Sequence, residues 1–399
     1  MSRGFAIALD IGTTTLDGCL VEMGGGRELA RMRVVNEQIS YGDNLISRIH
    51  RALKGEKEYQ KLRTALIDSA NRLIGLLLES AGVRAEEISE VCMVGNAVMY
   101  SFTMGYPVES FSRIPFGPAS YGMAEKLSSE VGFEVIGDAR ARFLPNLGGF
   151  VGSDALAVIL ATGLHKSNTP KAAIDIGTNG EVIAGFKDNI WVASTAAGPA
   201  FEGWHISCGM PALSGAIESA RPNGDSFSID TVGGDNPSGI CGSGLIDIFA
   251  GLMEMGHLDK TGRLQNGEFT ILQEGEKRIF LNQEDVRQMQ HAKAAIRTAL
   301  DMLFKAAGIK AANIDGLYLT GTFGNRISSS NAQKIGLIPD AILTEKISVV
   351  QDAALEGAKE ILINKSALEE AISLSKRIKH VELSCQKAFQ DNFVNAMHF

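Results

Sequence analysis

The chain has 399 residues, 45% apolar and 21% charged, and this composition excludes a disordered, collagen-like or coiled-coil protein and allows two or three domains. Lys and Arg number 38 against 46 Asp and Glu, so the net charge of -8 and the lack of basic runs argue against binding to nucleic acid or a membrane surface. Five scattered cysteines, no signal peptide and no apolar run of 18 residues predict a cytoplasmic protein with reduced thiols.

Two segments far apart in the chain share the pattern of a strand, a D-I-G-T turn and a second strand. The first contains Asp10, Gly12, Thr13, Thr14 and Thr15, and the second contains Asp175, Gly177, Thr178, Asn179 and Gly180. β-Branched and apolar residues on both sides of each turn predict hairpins. The repetition predicts an α/β protein of two duplicated lobes, residues 1–165 and 166–399, with the boundary in the polar segment before Pro170.

Apolar periodicity and turn residues predict helices and strands that alternate along both lobes. In the first lobe these are helices over 44–53, from Leu62 to Gly82, after Asn96 and over 155–162, with a buried strand over 90–94. In the second they are strand-rich insertions near 221–240 and 262–282, a helix over 283–307, a strand over 316–319, helices near 351–363 and 366–376, a strand over 378–383 and a last helix from 386.

An aspartate at the end of a strand, followed by glycine and hydroxyl residues, suits nucleoside triphosphate chemistry. Loop N–H groups and Thr hydroxyls donate to phosphate oxygens, and Asp10 and Asp175 can hold a hydrated Mg²⁺, an ion that keeps its waters and takes few carboxylates. Turn capping is the alternative explanation of both aspartates. Two such loops favour phosphate binding, because duplicated lobes can clamp the β and γ phosphates from both sides.

A third glycine-rich segment follows a predicted strand and contains Gly321, Thr322, Phe323, Gly324 and Asn325. Its glycines allow a flat ring or a ribose to approach the backbone, whereas an ordinary strand-to-helix turn is the alternative. The sequence lacks the P-loop pattern, and no G-x-G segment opens a Rossmann unit. Those two nucleotide-binding folds are therefore disfavoured.

The order of these motifs, with Asp154 at the head of a connecting helix, resembles the superfamily of acetate and sugar kinases, heat-shock chaperone ATPases and actin. The resemblance implies the actin-like ATPase (ribonuclease H-like) fold, with the nucleotide in the cleft between the lobes. It also implies that Asp154 orients the attacking water. Lys293 and Arg297, on the helix before the third motif, then reach the adenine, with a solvated helix face as the alternative.

Further segments resemble the ATP-dependent reductive activators of corrinoid enzymes. They are Ser194 to Met210, Gly239 to Asp247, Gly95-Asn96 followed by Met99, and the ending Phe389 to Met397. The resemblance covers essentially the whole chain. It implies that the protein returns an inactive Co(II) corrinoid on a methyl-transfer protein to Co(I), with ATP offsetting an uphill electron transfer.

Familiar members of that family carry a fused iron–sulfur domain, but Asp10 lies near the start of this sequence. The cysteines at 19, 92, 208, 241 and 385 also lack the spacing of a cluster. We therefore expect ATP and Mg²⁺ as cofactors, no iron–sulfur cluster in this chain, a corrinoid protein as partner and a separate electron donor. The alternative is an ATPase module that acts on the partner without a redox role. The oligomeric state is open, with a homodimer as one option.

Four residues in these segments are predicted to face the corrinoid partner: Asn96, Glu202, His205 and Ser243. Glu202 alternatively orients a water or only shapes a turn, and His205 is either a cobalt-facing group or a hydrogen-bonded loop histidine. Two other function classes stay open, a small-molecule kinase and a nucleotide-gated assembly module of actin type. A kinase makes ADP only with its acceptor present, whereas an assembly module sediments as a polymer with ATP.

Overall fold

The computed structural model describes residues 4–321, 327–384 and 386–399. The strands are β1 Phe5–Ile11, β2 Thr15–Glu22, β3 Glu28–Val35, β4 Ile88–Gly95, β5 Ala124–Leu127, β6 Arg140–Phe143, β7 Lys171–Ile176, β8 Asn179–Phe186, β9 Asn189–Ala196, β10 Ala216–Asn223, β11 Ser226–Thr231, β12 Gly239–Ile240, β13 Glu268–Glu274, β14 Lys277–Asn282, β15 Gly316–Gly321, β16 Ile347–Val349 and β17 Lys379–His380. The helices are α1 Leu45–Ala52, α2 Glu56–Ala81, α3 Ala97–Met104, α4 Ser128–Val131, α5 Ser153–Thr162, α6 Gly242–Glu254, α7 Gln283–Ala307, α8 Ser329–Lys334, α9 Ala353–Ile363, α10 Lys365–Ser375 and α11 Ala388–Ala396. The predicted α/β class is confirmed.

The chain divides into two compact units, each assembled from several segments. Unit 1 consists of Met1–Lys166, Lys187–Val192 and Ala353–His380. Unit 2 consists of Ser167–Phe186, Ala193–Asp352 and Val381–Phe399. Among the described residues, no helix is long and apolar enough to cross a membrane.

Unit 1 contains a six-stranded sheet in the order β3-β2-β1-β4-β6-β5. β1 pairs antiparallel with β2 and parallel with β4. Successive side chains of a strand face opposite sides of its sheet. Ile7, Leu9 and Ile11 accordingly lie in one apolar core with residues of α2, whereas Ala6 and Ala8 are buried on the opposite face. Because α9 also packs on β1, helices cover both faces of this sheet.

Helix α9 is fixed to unit 1 by a close helix contact and by charge. A Cβ on Gly357 would lie 2.2 Å from the carbonyl oxygen of Ala157, so α9 approaches α5 closely only because this residue is glycine. The Lys359 ammonium lies 3.0 Å from the Glu28 carboxylate of β3. Arg31 also binds Glu28, and the two cations lower the pKa of that carboxyl to about 2. The ion pairs therefore tie α9 to the edge of the sheet.

In unit 2, β15 lies between β16 and β7 in parallel pairs, and β7 forms an antiparallel hairpin with β8. The strands β10 to β12 and the hairpin β13–β14 are the predicted strand-rich insertions. The predicted helix over 283–307 is confirmed as α7, which begins at the capping side chain of Asn282 and ends at Gly308. Gly180 of β8 lets α7 approach, since a Cβ there would lie 2.9 Å from Ile296.

Candidate functional site

Loop one, residues 12–14, joins β1 to β2 in unit 1. Asp10 is the residue before the end of β1, and Thr13 and Thr14 are each 6% exposed. The side-chain amide of Asn36 donates to the carbonyl of Gly12 at 3.0 Å, and its backbone N–H donates to the carbonyl of Thr14 at 2.9 Å. These bonds hold the turn in one conformation.

The end of β4 and the start of α5 lie next to loop one. Asn96 caps α3 by accepting from two backbone N–H groups, and its amide donates to the Thr13 hydroxyl at 3.1 Å. A Cβ on Gly152 would lie 2.0 Å from the carbonyl oxygen of Gly95, so no other residue fits between these segments. Loop one, Asn96 and the N-terminus of α5 therefore converge within unit 1.

Asp154 occupies the second position of α5, beside this convergence. Its carboxylate accepts from the backbone N–H of Ala155 at 2.7 Å. Burial raises the pKa of Asp154 to about 6, because the charged carboxylate loses solvation. A carboxyl with this pKa can take up or release a proton near neutral pH.

Loop two, which includes Gly177 and Thr178, joins β7 to β8 in unit 2, with Asp175 one residue before the end of β7. The Glu202 carboxylate accepts from the Thr178 backbone N–H at 3.1 Å and from its hydroxyl at 2.8 Å. The carbonyl of Thr178 accepts from the backbone N–H of Gly198 at 2.9 Å. Loop two is thus bonded to the segment from Gly198 to Glu202. This segment contains Glu202, one of the residues predicted to face the partner.

Each motif aspartate has an acidic residue directly across the hairpin, and the sequence analysis missed both. Asp10 pairs with Asp17, and Asp175 pairs with Glu181. Cross-strand partners project on the same face of the sheet. Asp17 and Glu181 are 8% and 6% exposed. The predicted hairpins were the signal that could have found them. A turn after Ile11 brings Asp17 opposite Asp10, and a turn after Ile176 brings Glu181 opposite Asp175.

The third motif begins at Gly321, the last residue of β15. It pairs with Ile176 of β7, and a Cβ on Gly321 would lie 2.2 Å from the Ile176 carbonyl oxygen. The neighbouring pair in the same register is Thr320 and Asp175, so β15 ends beside loop two. The other predicted residues of the motif, Thr322, Phe323, Gly324 and Asn325, lie outside the described residues.

Lys293 is completely buried in unit 2, where α7 contacts the last residues of the chain. Its ammonium donates to the carbonyl of His398 and lies 4.9 Å from the centre of the Phe399 ring. Burial, with a smaller contribution from Arg297, lowers the pKa of Lys293 to about 7. Arg297 donates to the carbonyl of Gly336 at 3.3 Å.

The residues predicted to face a partner differ in exposure. Asn96 and Ser243 are buried, and the Ser243 hydroxyl donates to the carbonyl of Glu218 at 2.8 Å. His205 is exposed, with φ at 61°, and its neighbour Trp204 is 40% exposed. Within the described part of the chain, no group of three or more His, Cys, Asp or Glu side chains is placed to hold a metal.

Each hairpin loop, taken by itself, has groups that can donate to a phosphate. In loop two the backbone N–H and the hydroxyl of Thr178 donate, and in loop one the Thr13 hydroxyl, which accepts from Asn96, keeps a proton of its own to donate. Asp10 in unit 1 and Asp175 in unit 2 each carry a carboxylate at the end of a strand, a group that can accept from the waters of a hydrated Mg²⁺. The residues therefore fit both a phosphate and a hydrated cation.

Comparisons with known proteins cover the whole chain. A family model described as the RACo middle region matches residues 5–167, and one described as the C-terminal domain of RACo, the ASKHA domain, matches residues 170–399. A solved structure, "Reductive activator for corrinoid,iron-sulfur protein", is 32% identical with a TM-score of 0.94, covering 100% of this chain and 66% of that one. The match to the ASKHA domain confirms the predicted actin-like ATPase fold.

Two curated relatives are similar in sequence. "Corrinoid activation enzyme RamQ" of Eubacterium limosum is 31% identical over 414 residues, an alignment that covers 98% of this chain and 69% of the relative. "[Co(II) methylated amine-specific corrinoid protein] reductase" of Methanosarcina barkeri is 32% identical over 268 residues, covering 61% of this chain and 48% of the relative. The chain thus spans 69% and 48% of the lengths of these two relatives.

Proposed function

The chain belongs to the RACo family, and on this premise we propose that it is an ATPase that reactivates a corrinoid protein of a methyl-transfer system. The reaction takes one electron from a separate donor and reduces Co(II) on the corrinoid protein to Co(I), while ATP and water become ADP and phosphate. The observation that carries the proposal is the family match over residues 5–167 and 170–399. An electron transfer that is uphill by 59 mV costs about 1.4 kcal/mol, so hydrolysis is a sensible way to drive it.

We assign the phosphates of ATP to loops one and two. The N–H groups and hydroxyls of Thr13, Thr14 and Thr178 donate to them, with Thr15, Gly12, Gly177, Asn179 and Gly180 completing the two turns. A hydrated Mg²⁺, held through water by Asp10 and Asp175, would neutralise charge on the phosphates. We assign the adenosine to the third motif and leave out Lys293, because its ammonium is buried against His398 and Phe399.

Asp154 is the residue that we assign to the attacking water. Its raised pKa of about 6 leaves most of the carboxyl ionised at neutral pH, and an ionised carboxylate can accept a proton from water. Its position at the N-terminus of α5, beside loop one, supports this role. The nearby Asn96 amide keeps Thr13 in place.

We propose that the electron reaches the corrinoid from another protein and not through a cluster held by these thiols. Cys19, Cys92 and Cys241 are buried, and burial raises the pKa of Cys19 to about 12 and that of Cys92 further. Iron–sulfur clusters are held by a set of neighbouring cysteine thiolates, and the cysteines at 19, 92, 208, 241 and 385 lack such a spacing. Cys208 is partly exposed, and Cys385 lies outside the described residues.

The test is a visible absorption assay of Co(II) loss in candidate corrinoid proteins. Each is incubated with this protein, a one-electron reductant and ATP, and the same mixture with ADP is the control. The proposal predicts formation of Co(I) only with ATP. ADP formation that requires a small acceptor, without any effect of a corrinoid protein, would instead assign the chain to the kinases.

A further inference from the structure

We propose that Glu202 is a built-in competitor of the nucleotide phosphates, and that its displacement from Thr178 transmits the nucleotide state to an exposed loop. This inference rests on the proposed function, because it takes loop two as a phosphate site. It concerns the regulation of that site.

The Glu202 carboxylate occupies the donors that a phosphate would need. Thr178 has one backbone N–H and one hydroxyl proton to offer, and the two oxygens of Glu202 accept these at 3.1 and 2.8 Å. A Cβ on Gly177 would lie 3.5 Å from the same carboxylate, so Glu202 lies directly over the turn. A phosphate oxygen can reach the Thr178 donors only if the carboxylate leaves, since two anions in contact also repel each other.

Glu202 belongs to a short 3-10 turn, Pro199–Glu202, whose neighbours are firmly anchored on both sides. On the N-terminal side of Glu202, Phe201 is 1% exposed and the backbone N–H of Gly198 donates to the carbonyl of Thr178. After it, the N–H of Ser207 donates to Asp285 of α7 at 2.7 Å. Between Phe201 and Ser207, Gly203 packs closely on the backbone of Met210 and Ile206 is buried, so a movement of Glu202 is passed along this packed segment to Trp204 and His205.

The exposed residues of that stretch are Trp204 and His205. His205 has φ at 61°, a left-handed conformation that is uncommon for residues other than glycine. The backbone N–H of Trp204, the residue before His205, donates to the carbonyl of Pro199 at 3.2 Å and so links this exposed pair to the Glu202 turn. Release of Glu202 therefore changes the surface that Trp204 and His205 present.

Nucleotide affinity gives the first test, on the full-length chain with Mg²⁺ and the non-hydrolysable analogue AMP-PNP. Glu202→Ala removes the competitor and should tighten binding about tenfold, a modest part of the strength of hydrogen bonds to a charged group. Glu202→Gln keeps one acceptor without the charge and should fall between wild type and Glu202→Ala. Glu276→Ala removes one negative charge from the exposed β13–β14 turn and should bind like wild type. Weaker binding by Glu202→Ala and Glu202→Gln would overturn the inference.

Fluorescence gives a second test, because the chain has only two tryptophans, Trp191 and Trp204. In a Trp191→Phe background, AMP-PNP should shift the emission of Trp204, and adding Glu202→Ala should produce the shifted spectrum without nucleotide. If saturating nucleotide leaves the emission of Trp204 unchanged, the inference about Glu202 is wrong, while the proposed function is not affected. If no variant binds nucleotide, the ATP chemistry of the proposed function fails as well, whereas failure to reduce a corrinoid leaves both nucleotide tests in force.

Discussion

The buried amine of Lys293 predicts a stability that rises with pH. Its pKa is about 7 in the folded protein against 10.5 for a free lysine side chain. Between these two values the unfolded chain holds a proton that the folded chain has lost, so raising the pH favours the folded state. Below pH 7 both states are protonated, and the dependence on this group disappears.

The magnitude follows from linkage. A difference of one bound proton changes the free energy of unfolding by about 1.4 kcal/mol per pH unit. At pH 7 Lys293 is still half protonated in the folded state, so the change from pH 7 to pH 9 is about 2 kcal/mol and not twice the change per pH unit. Lys293→Met keeps the length of the side chain and removes the ionisable group. From pH 7 to pH 9 the free energy of unfolding of wild type, relative to that of Lys293→Met, should therefore increase by about 2 kcal/mol.

Urea unfolding at pH 7, 8 and 9 measures this difference. Trp204 fluorescence in the Trp191→Phe background reports on unit 2, to which α7 belongs. Lys305→Met, on an exposed face in the last turn of the same helix, should follow wild type at every pH. If the difference between wild type and Lys293→Met is the same at all three pH values, the amine is charged in the folded state and the reasoning from burial is refuted.

Three further predictions concern the site. Asp10→Ala or Asp175→Ala should abolish ATP hydrolysis, as should removal of Mg²⁺ by EDTA, with an unchanged circular dichroism spectrum; normal turnover would remove that aspartate from the site. Because the pKa of Asp154 is about 6, hydrolysis should fall as the pH drops through 6, and Asp154→Asn should lower kcat and eliminate this pH dependence; a variant that keeps the same profile would assign the proton to another group. The purified protein should be colourless, and iron analysis near one cluster per chain or per dimer would contradict the prediction from the cysteines.

Local patterns were sufficient to predict much of the fold. The two D-I-G-T hairpins and α7 follow from turn residues and apolar periodicity, which act over a few residues. The partners of the site residues did not follow from any local pattern. The bond from Asn96 to Thr13 joins positions 83 residues apart, and that from Thr178 to Glu202 joins positions 24 apart. Only the packing of the strands brings these pairs into contact. From the sequence alone, Asn96 and Glu202 are predicted to face a partner and not to bond to the loops.

Helix α9 delays the completion of unit 1 while the protein is being synthesised. The sheet of unit 1 has β1 near its centre, and α9, about 350 residues later, covers the face that carries Ala6 and Ala8. A ribosome must therefore make all of residues 167–352 before the first strand can be enclosed, a delay on the order of tens of seconds. During this interval the earliest part of the chain has an uncovered apolar surface, and a fragment that stops at residue 166 should need a chaperone to stay in solution.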